Sequence, residues 1–262
     1  MDLNLKNKRA IVCGSTQGIG KAVAVELAQL GASVTLVARN AEKLKETVQE
    51  LAQSQDQQHD YIVADFADTE EVKAQIAAYV QQHNEVHILV NNTGGPPGGP
   101  ITEAKPEEFL KAFNIHLINN HNLVQAVVPL MKKAGYGRII NIISTSVKEP
   151  IAGLGVSNTT RGAVASWAKT MANELGQFGI TVNNVLPGST KTDRIYSLVE
   201  SRAEKSGRDK QEVQQEMEQA IPARRFAEPE EVAAAAAFLA TPAAAYINGV
   251  SLAVDGGRTG SI

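Results

Sequence analysis

The chain has 262 residues, 43% of them hydrophobic and 20% charged, with a net charge of −3 and a single cysteine. This is the composition of a globular protein with one large core; it excludes an intramolecular disulfide and gives no electrostatic reason to expect nucleic acid or an anionic membrane as partner. No apolar run reaches the ~20 residues of a membrane span, and the basic stretch at residues 6–9 has no secretory apolar segment behind it, so the expectation is a soluble, cytoplasmic protein with no membrane partner.

Residues 10–12 read as a short apolar strand. A glycine-rich turn follows, containing Gly14, Ser15, Gln17, Gly18, Ile19 and Gly20, and then a helical pattern that stops at Gly31. Strand, glycine turn and helix in that order can hold a dinucleotide pyrophosphate. Glycines let the backbone close on the ligand, and the helix N-terminus offers it unpaired N–H groups. Such a turn also suits an ordinary tight bend, so the rest of the chain must decide. Cys13 reads as a small buried residue at a strand end. A second strand over residues 33–38 ends at Arg39. An acidic residue there would bind the 2′-hydroxyl of NAD, whereas an arginine accommodates the 2′-phosphate of NADP. Arg39 therefore favours NADP(H) over NAD(H); the competing reading is a solvated loop arginine.

A polar helix over residues 41–53, a Gln-rich loop and a strand over 61–65 ending in Asp65 come next, then a helix over 70–83 and a strand over 86–90. This alternation predicts parallel βαβ units. The loop at residues 91–100 holds four glycines and three prolines, cannot be helical, and would lie beside a cofactor crevice at the sheet's carboxyl edge. A helix over residues 107–131 carries His116 and Asn120 on one face. The five-residue spacing of His116 and His121 does not bring them together, so no metal is expected. A strand over 138–143 leads to Ser144, a helix from Ser157 to Phe178 carries Arg161, and a strand over 180–186 closes at Pro187-Gly188. Polar, Gln-rich sequence follows, broken at Ser206-Gly207; it reads either as a mobile lid or as a solvated peripheral helix pair. A helix opening at Glu228-Pro229 and a strand over 251–254 complete the chain, which has no internal repeat.

On Gly14…Gly18-Ile19-Gly20, Asp65, Asn91-Asn92-Thr93-Gly94, Pro187-Gly188 with Thr192, Tyr246-Ile247-Asn248-Gly249 and Asp255-Gly256-Gly257, the sequence resembles a short-chain dehydrogenase/reductase over essentially its whole length. Within that family it is most similar to the β-ketoacyl carrier-protein reductase-like branch. The resemblance implies an α/β, single-domain Rossmann fold over residues 1–262: a doubly wound parallel sheet of about seven strands with helices on both faces, and a possible lid at residues 193–222. It implies NADP(H) bound by the first turn with Arg39, by Asp65 and Phe66 on the adenine side, and by Asn92, Gly94, Pro187, Gly188, Thr190 and Thr192 towards the nicotinamide, with Arg161 at the ribose. It also implies a small carbonyl or alcohol substrate and a homo-oligomer, tetramer or dimer.

The departures fall on the chemistry. The family works with Asn, Ser, Tyr and Lys; this sequence keeps Ser144, but has Ser157 at the tyrosine, Arg161 at the lysine and His116 at the asparagine. Arg161 remains a cation for ribose hydroxyls yet cannot relay a proton. Ser157 is an alkanol, a far weaker acid than a phenol. His116 has an ordinary pKa suited to acid work, and Tyr196 is the tyrosine whose position lets it approach the crevice. Three readings follow: an NADP(H)-dependent oxidoreductase interconverting carbonyl and alcohol with a non-standard proton donor (His116, Tyr196 or a serine-held water), a catalytically degenerate dinucleotide-binding sensor or scaffold, or a different chemistry on the same cofactor fold.

Overall fold

The computed structural model describes residues 1–261. Its strands are β1 (Arg9–Cys13), β2 (Ser33–Ala38), β3 (Asp60–Val63), β4 (Ile88–Asn91), β5 (Gly137–Ile142), β6 (Ile180–Pro187) and β7 (Ser251–Val254). They form one sheet in the order β3-β2-β1-β4-β5-β6-β7, every neighbouring pair parallel. The chain fills the left half from β1 outwards, then crosses back to begin the right half at β4. The sheet therefore has a topological switch point between β1 and β4, where the two halves diverge and leave a crevice at the strands' carboxyl ends.

Alternate residues of each strand face opposite ways, and both faces are covered, which is why the central strands read as uninterrupted apolar runs. From β1, Ala10 and Val12 join Val23, Leu27, Leu36, Ile88, Val90 and Ile140 under the helices α1 (Gly18–Gln29) and α9 (Pro229–Ala240). Ile11 and Cys13 point the other way, among Leu89, Val72, Ile76, Val127, Met131 and Ile139, beneath α3 (Thr69–Gln82), α5 (Asn119–Ala134) and α6 (Gly155–Leu175). Burial of Cys13 pushes its thiol up to about 12, so it is an inert packing residue.

Several boundaries differ from those read in the sequence. The second helix, α2 (Ala41–Glu50), stops earlier; β3 ends two residues before Asp65, which lies in the following loop; and α6 begins two residues before Ser157. The long helix expected over 107–131 is α4 (Pro106–Phe113) and α5 joined by a π-helical turn at Asn114–Ile118. After β6, α7 (Asp193–Ser206) and α8 (Lys210–Gln219) pack on each other through Ile195, Val199, Ala203, Val213 and Phe226, a small core separate from the sheet's. The neck of this pair is held by two backbone bonds, Lys191 N–H to Ala227 O and Ala227 N–H to Ser189 O, both 2.9 Å. Among the described residues no helix is long and apolar enough to cross a membrane.

Candidate active site

The glycine turn sits at the switch point and is built so that nothing but hydrogen fits at its key positions. Gly14 has φ +59°, and a Cβ there would lie 2.6 Å from Asn92 O and 2.8 Å from Asn92 Nδ2. A Cβ on Gly20 would strike the carbonyl of Gly14 and lie 2.6 Å from the same Asn92 nitrogen. Gly18, at φ +52°, starts α1, whose first N–H groups face the turn. Asn92 Nδ2 donates to the carbonyls of Cys13 and Gly14, each at 3.2 Å, so the loop after β4 clamps the loop after β1. Ser15 is fully buried and its hydroxyl accepts Val37 N–H at 3.1 Å; it shapes the cradle from behind and does not line it. Gln17 is the extended residue that precedes α1, with Ile19 half-buried against the first core. Such a cradle fits the pyrophosphate of a dinucleotide.

The adenosine end lies across β2 and β3. Arg39 follows the last residue of β2, is exposed, and forms no ion pair among the described residues. Asp65 lies in the loop after the adjacent β3, with Oδ1 accepting Ala67 N–H at 2.9 Å. The half-buried Phe66 ring packs against the second core. Its carbonyl accepts the amide of Asn119 at 2.7 Å. Asn119 was not singled out from the sequence. The π-helical turn just before it brings its side chain to this loop.

On the other side, Gly94 faces open space and forms part of the crevice floor. Gly188 N–H donates to Val254 O at 2.9 Å, and a Cβ on Gly188 would meet Asp255 Cα at 2.8 Å; this packing explains the glycine after Pro187. Thr190 is buried and its hydroxyl donates to Gly188 O at 3.2 Å, stapling the turn. The Thr192 methyl lies 3.0 Å from where a Gly18 Cβ would be, so the start of α7 roofs the cradle.

The positions of the missing chemistry converge at the ends of β4 and β5. Arg161 is 7% exposed; its Nη1 donates to Ile142 O at 3.2 Å and its Nη2 to Thr93 O at 3.4 Å. Burial, with Arg194 nearby, lowers its pKa to about 10, which leaves it charged. One helical turn away, Ser157 is 9% exposed. Ser144 accepts Ser146 N–H at 3.1 Å, in a turn that packs on α6. His116 is buried, with Nδ1 2.5 Å from Thr93 Oγ1. Burial first and the Arg161 charge second push its pKa down to about 2, so the imidazole is neutral in the working range and the acid role expected of it does not hold. Tyr196 is 47% exposed and lines a groove between α7 and α8 with Glu200 and Lys210, one helical turn from Thr192. His121 meets Trp167 and not His116, and no metal-ligand cluster exists among the described residues.

Two features escaped the sequence reading. Arg194, at the start of α7, donates from Nη2 to Pro96 O across the crevice at 2.8 Å. Behind the site, Asn91, Asn141 and Asn184 form a ladder over adjacent strands. Asn91 donates to Asn141 at 2.9 Å, Asn141 to Asn184 at 3.0 Å, and Asn184 to Ser251 at 3.1 Å. Asparagines within three apolar strand runs were the available signal, and strand register was needed to read it.

A family model described as Enoyl-(Acyl carrier protein) reductase matches residues 14–259. The 7alpha-hydroxysteroid dehydrogenase of Escherichia coli (strain K12) is 33% identical over 257 residues, covering 98% of this chain and 96% of that one. NADPH-dependent reductase BacG of Bacillus subtilis (strain 168) is 29% identical over 98% of this chain and 100% of its own. The solved structure of L-sorbose reductase from Gluconobacter frateurii, complexed with NADPH and L-sorbose, superposes with a TM-score of 0.92 at 30% identity over 100% of both chains.

Proposed function

We propose, from the premise that this chain belongs to the short-chain dehydrogenase/reductase family, that it is an NADP(H)-dependent oxidoreductase interconverting a carbonyl and an alcohol without the family's usual proton donor. The observation that carries the reading is the cradle at the β1/β4 switch point, where Gly14 and Gly20 leave no room for a Cβ and Gly18 holds a positive φ of +52°. NADP(H) over NAD(H) is supported by the exposed, ion-pair-free Arg39 and by relatives named for NADPH.

When bound, the reduced cofactor supplies a hydride to the carbonyl carbon. The oxygen must then gain a proton, and the chain's own groups limit how. Ser144 and Ser157 orient the oxygen by hydrogen bonds. Arg161 holds a fixed positive charge beside them, which lowers the cost of the oxyanion that develops. Neither a serine nor an arginine has a pKa suited to deliver the proton, and His116 is neutral. The proton therefore comes from water admitted through the crevice. The helix pair α7–α8, with its own core and narrow neck, acts as the lid that admits or excludes it. The same proposal includes a cytoplasmic homo-oligomer. Its support is the unpaired edge strand β7, which with its lead-in exposes Val250 and Leu252. Light-scattering mass of the natural protein and of Leu252→Lys tests it.

The main test follows NADPH oxidation over ketones, aldehydes and β-ketoacyl thioesters in two proteins shown to fold and to bind NADPH. One is the natural protein; the other carries His116→Asn, Ser157→Tyr and Arg161→Lys. Turnover by the natural protein that is lost in the variant supports the proposal. Turnover by the variant alone would favour the second reading, a degenerate dinucleotide-binding sensor or scaffold, for which the absence of any acid near Arg161 speaks.

A further inference from the structure

Two guanidinium groups, one buried and one exposed, approach each other beside Gly95, and among the described residues neither has an acidic partner. Arg161 comes from α6 and Arg194 from the first turn of α7. Both reach Gly95: a Cβ there would lie 3.9 Å from Arg161 Nη2 and 3.8 Å from Arg194 Nη2. The two nitrogens are thus no further apart than the sum of those distances. Every ion pair among the described residues is made by other cations. Three backbone carbonyls, those of Ile142, Thr93 and Pro96, accept from the pair. They satisfy some N–H donors and leave both charges uncompensated. The buried Arg161 without a counter-ion is costly, and the solvent-exposed Arg194 beside it adds like-charge repulsion. The fold keeps both.

We propose that Arg161 and Arg194 form a clamp for an oxyanionic group of the substrate, a carboxylate or a phosphoryl group, beside the reacting carbonyl. The substrate class is then an oxo or hydroxy acid, or a phosphorylated ketone or alcohol. Two oxygens of one such group, each about 2.8 Å from a guanidinium nitrogen, bridge a gap of this size. Planar forks from two elements favour it over a single ammonium. Because Arg194 rides on α7, binding the anion also draws the helix pair onto the loop at Gly95 and Pro96. The clamp rests on the reading of the crevice as the substrate site, so its test reads binding and not turnover.

The experiment measures binding and thermal shift of the NADP⁺-loaded protein with two matched probe pairs at constant ionic strength. The pairs are 2-oxobutanoate against its methyl ester, and dihydroxyacetone phosphate against dihydroxyacetone. The charged member of at least one pair is expected to bind about tenfold or more tightly than its neutral twin, and which pair discriminates tells carboxylate from phosphoryl. Arg194→Gln, which keeps a donor for Pro96 O and loses the charge, abolishes that discrimination, leaves NADP⁺ affinity unchanged, and raises Tm without a probe because like-charge repulsion is relieved. Arg194→Lys restores part of the discrimination. Equal binding of charged and neutral twins by the natural protein, discrimination that survives Arg194→Gln, or a loss confined to NADP⁺ affinity would each overturn the clamp. Absence of NADPH turnover leaves these readouts intact and bears only on the reaction.

Discussion

At the scale of single residues, the glycines and the titratable groups make the sharpest demands. Gly20→Ala sets a methyl against the Gly14 carbonyl and Asn92 Nδ2. Either the turn or the loop after β4 must move, so NADPH affinity should fall about tenfold or more, since overpacking costs about 1–3 kcal/mol; a fluorescence titration measures it. Arg39→Asp should weaken NADPH by a similar factor and strengthen NADH, because an acidic side chain repels the 2′-phosphate and accepts the 2′-hydroxyl. His116 gives a pH prediction. Its folded pKa is about 2 and its unfolded one about 6.5, so below about pH 6.5 the unfolded chain takes up a proton that the folded chain refuses. Stability is complete above that pH and falls as pH drops. His87, lowered to about 4 by burial and the Lys8 charge, adds to the loss. Between pH 7.5 and 5.5 urea unfolding of His116→Asn should lose about 1.4 kcal/mol less than the natural protein. The residue types at positions 116, 144, 157 and 161 were visible in the sequence. The charge state of His116 was not, because it depends on burial and on a guanidinium 45 positions away in the chain. Arg194 was invisible as a site residue for a like reason: only the crossing of α7 over the Gly95 loop gives it a role.

At the scale of elements, strand and helix order was legible because a sheet buried on both faces leaves long apolar runs between polar helices. The π-helical turn at Asn114–Ile118 was not. Its residues carry no breaker, and its extra residue per turn is what brings Asn119 to Phe66 O. The asparagine ladder was half legible, since each Asn stands in an apolar strand run but its partner is fixed by register, Asn91 opposite Asn141 and Asn141 opposite Asn184. Asn141→Leu removes the central rung. It strands the Asn91 amide and the Asn184 carbonyl oxygen without partners in a buried layer. Unsatisfied buried groups cost about 1–3 kcal/mol each, so unfolding free energy in urea should drop by roughly that amount per group, with Asn141→Asp intermediate.

At the scale of the whole molecule, the net charge of −3 and the lining of the crevice have opposite signs. Beyond the Arg161–Arg194 pair, Arg202 and Arg258 face a cleft of about 210 Å³ between α7, the loop after β5 and the end of the chain, with Glu149 as its acidic member. A local positive field of this kind accelerates the approach of anions and is screened by salt. The association rate of a charged probe should therefore fall as NaCl rises from 20 to 300 mM, while that of its neutral twin stays level; stopped-flow fluorescence reads both. The sequence total concealed this asymmetry because it sums over the exposed acidic helices as well.

The narrow neck under α7 and α8 has a consequence for how such a protein changes over evolutionary time. Residues 192–226 carry their own small core and join the rest through a few local links: the two-bond bridge, the Lys191–Glu228 and Arg225–Glu231 ion pairs, Ala223 N–H to Gly256 O, and Arg194 to Pro96 O. The cradle's tight contacts lie elsewhere, apart from the Thr192 methyl over Gly18. This segment is a cassette: substitutions within it, or exchange of the whole segment between relatives, can rewrite what the crevice accepts while the sheet and its nucleotide turn go on folding as before.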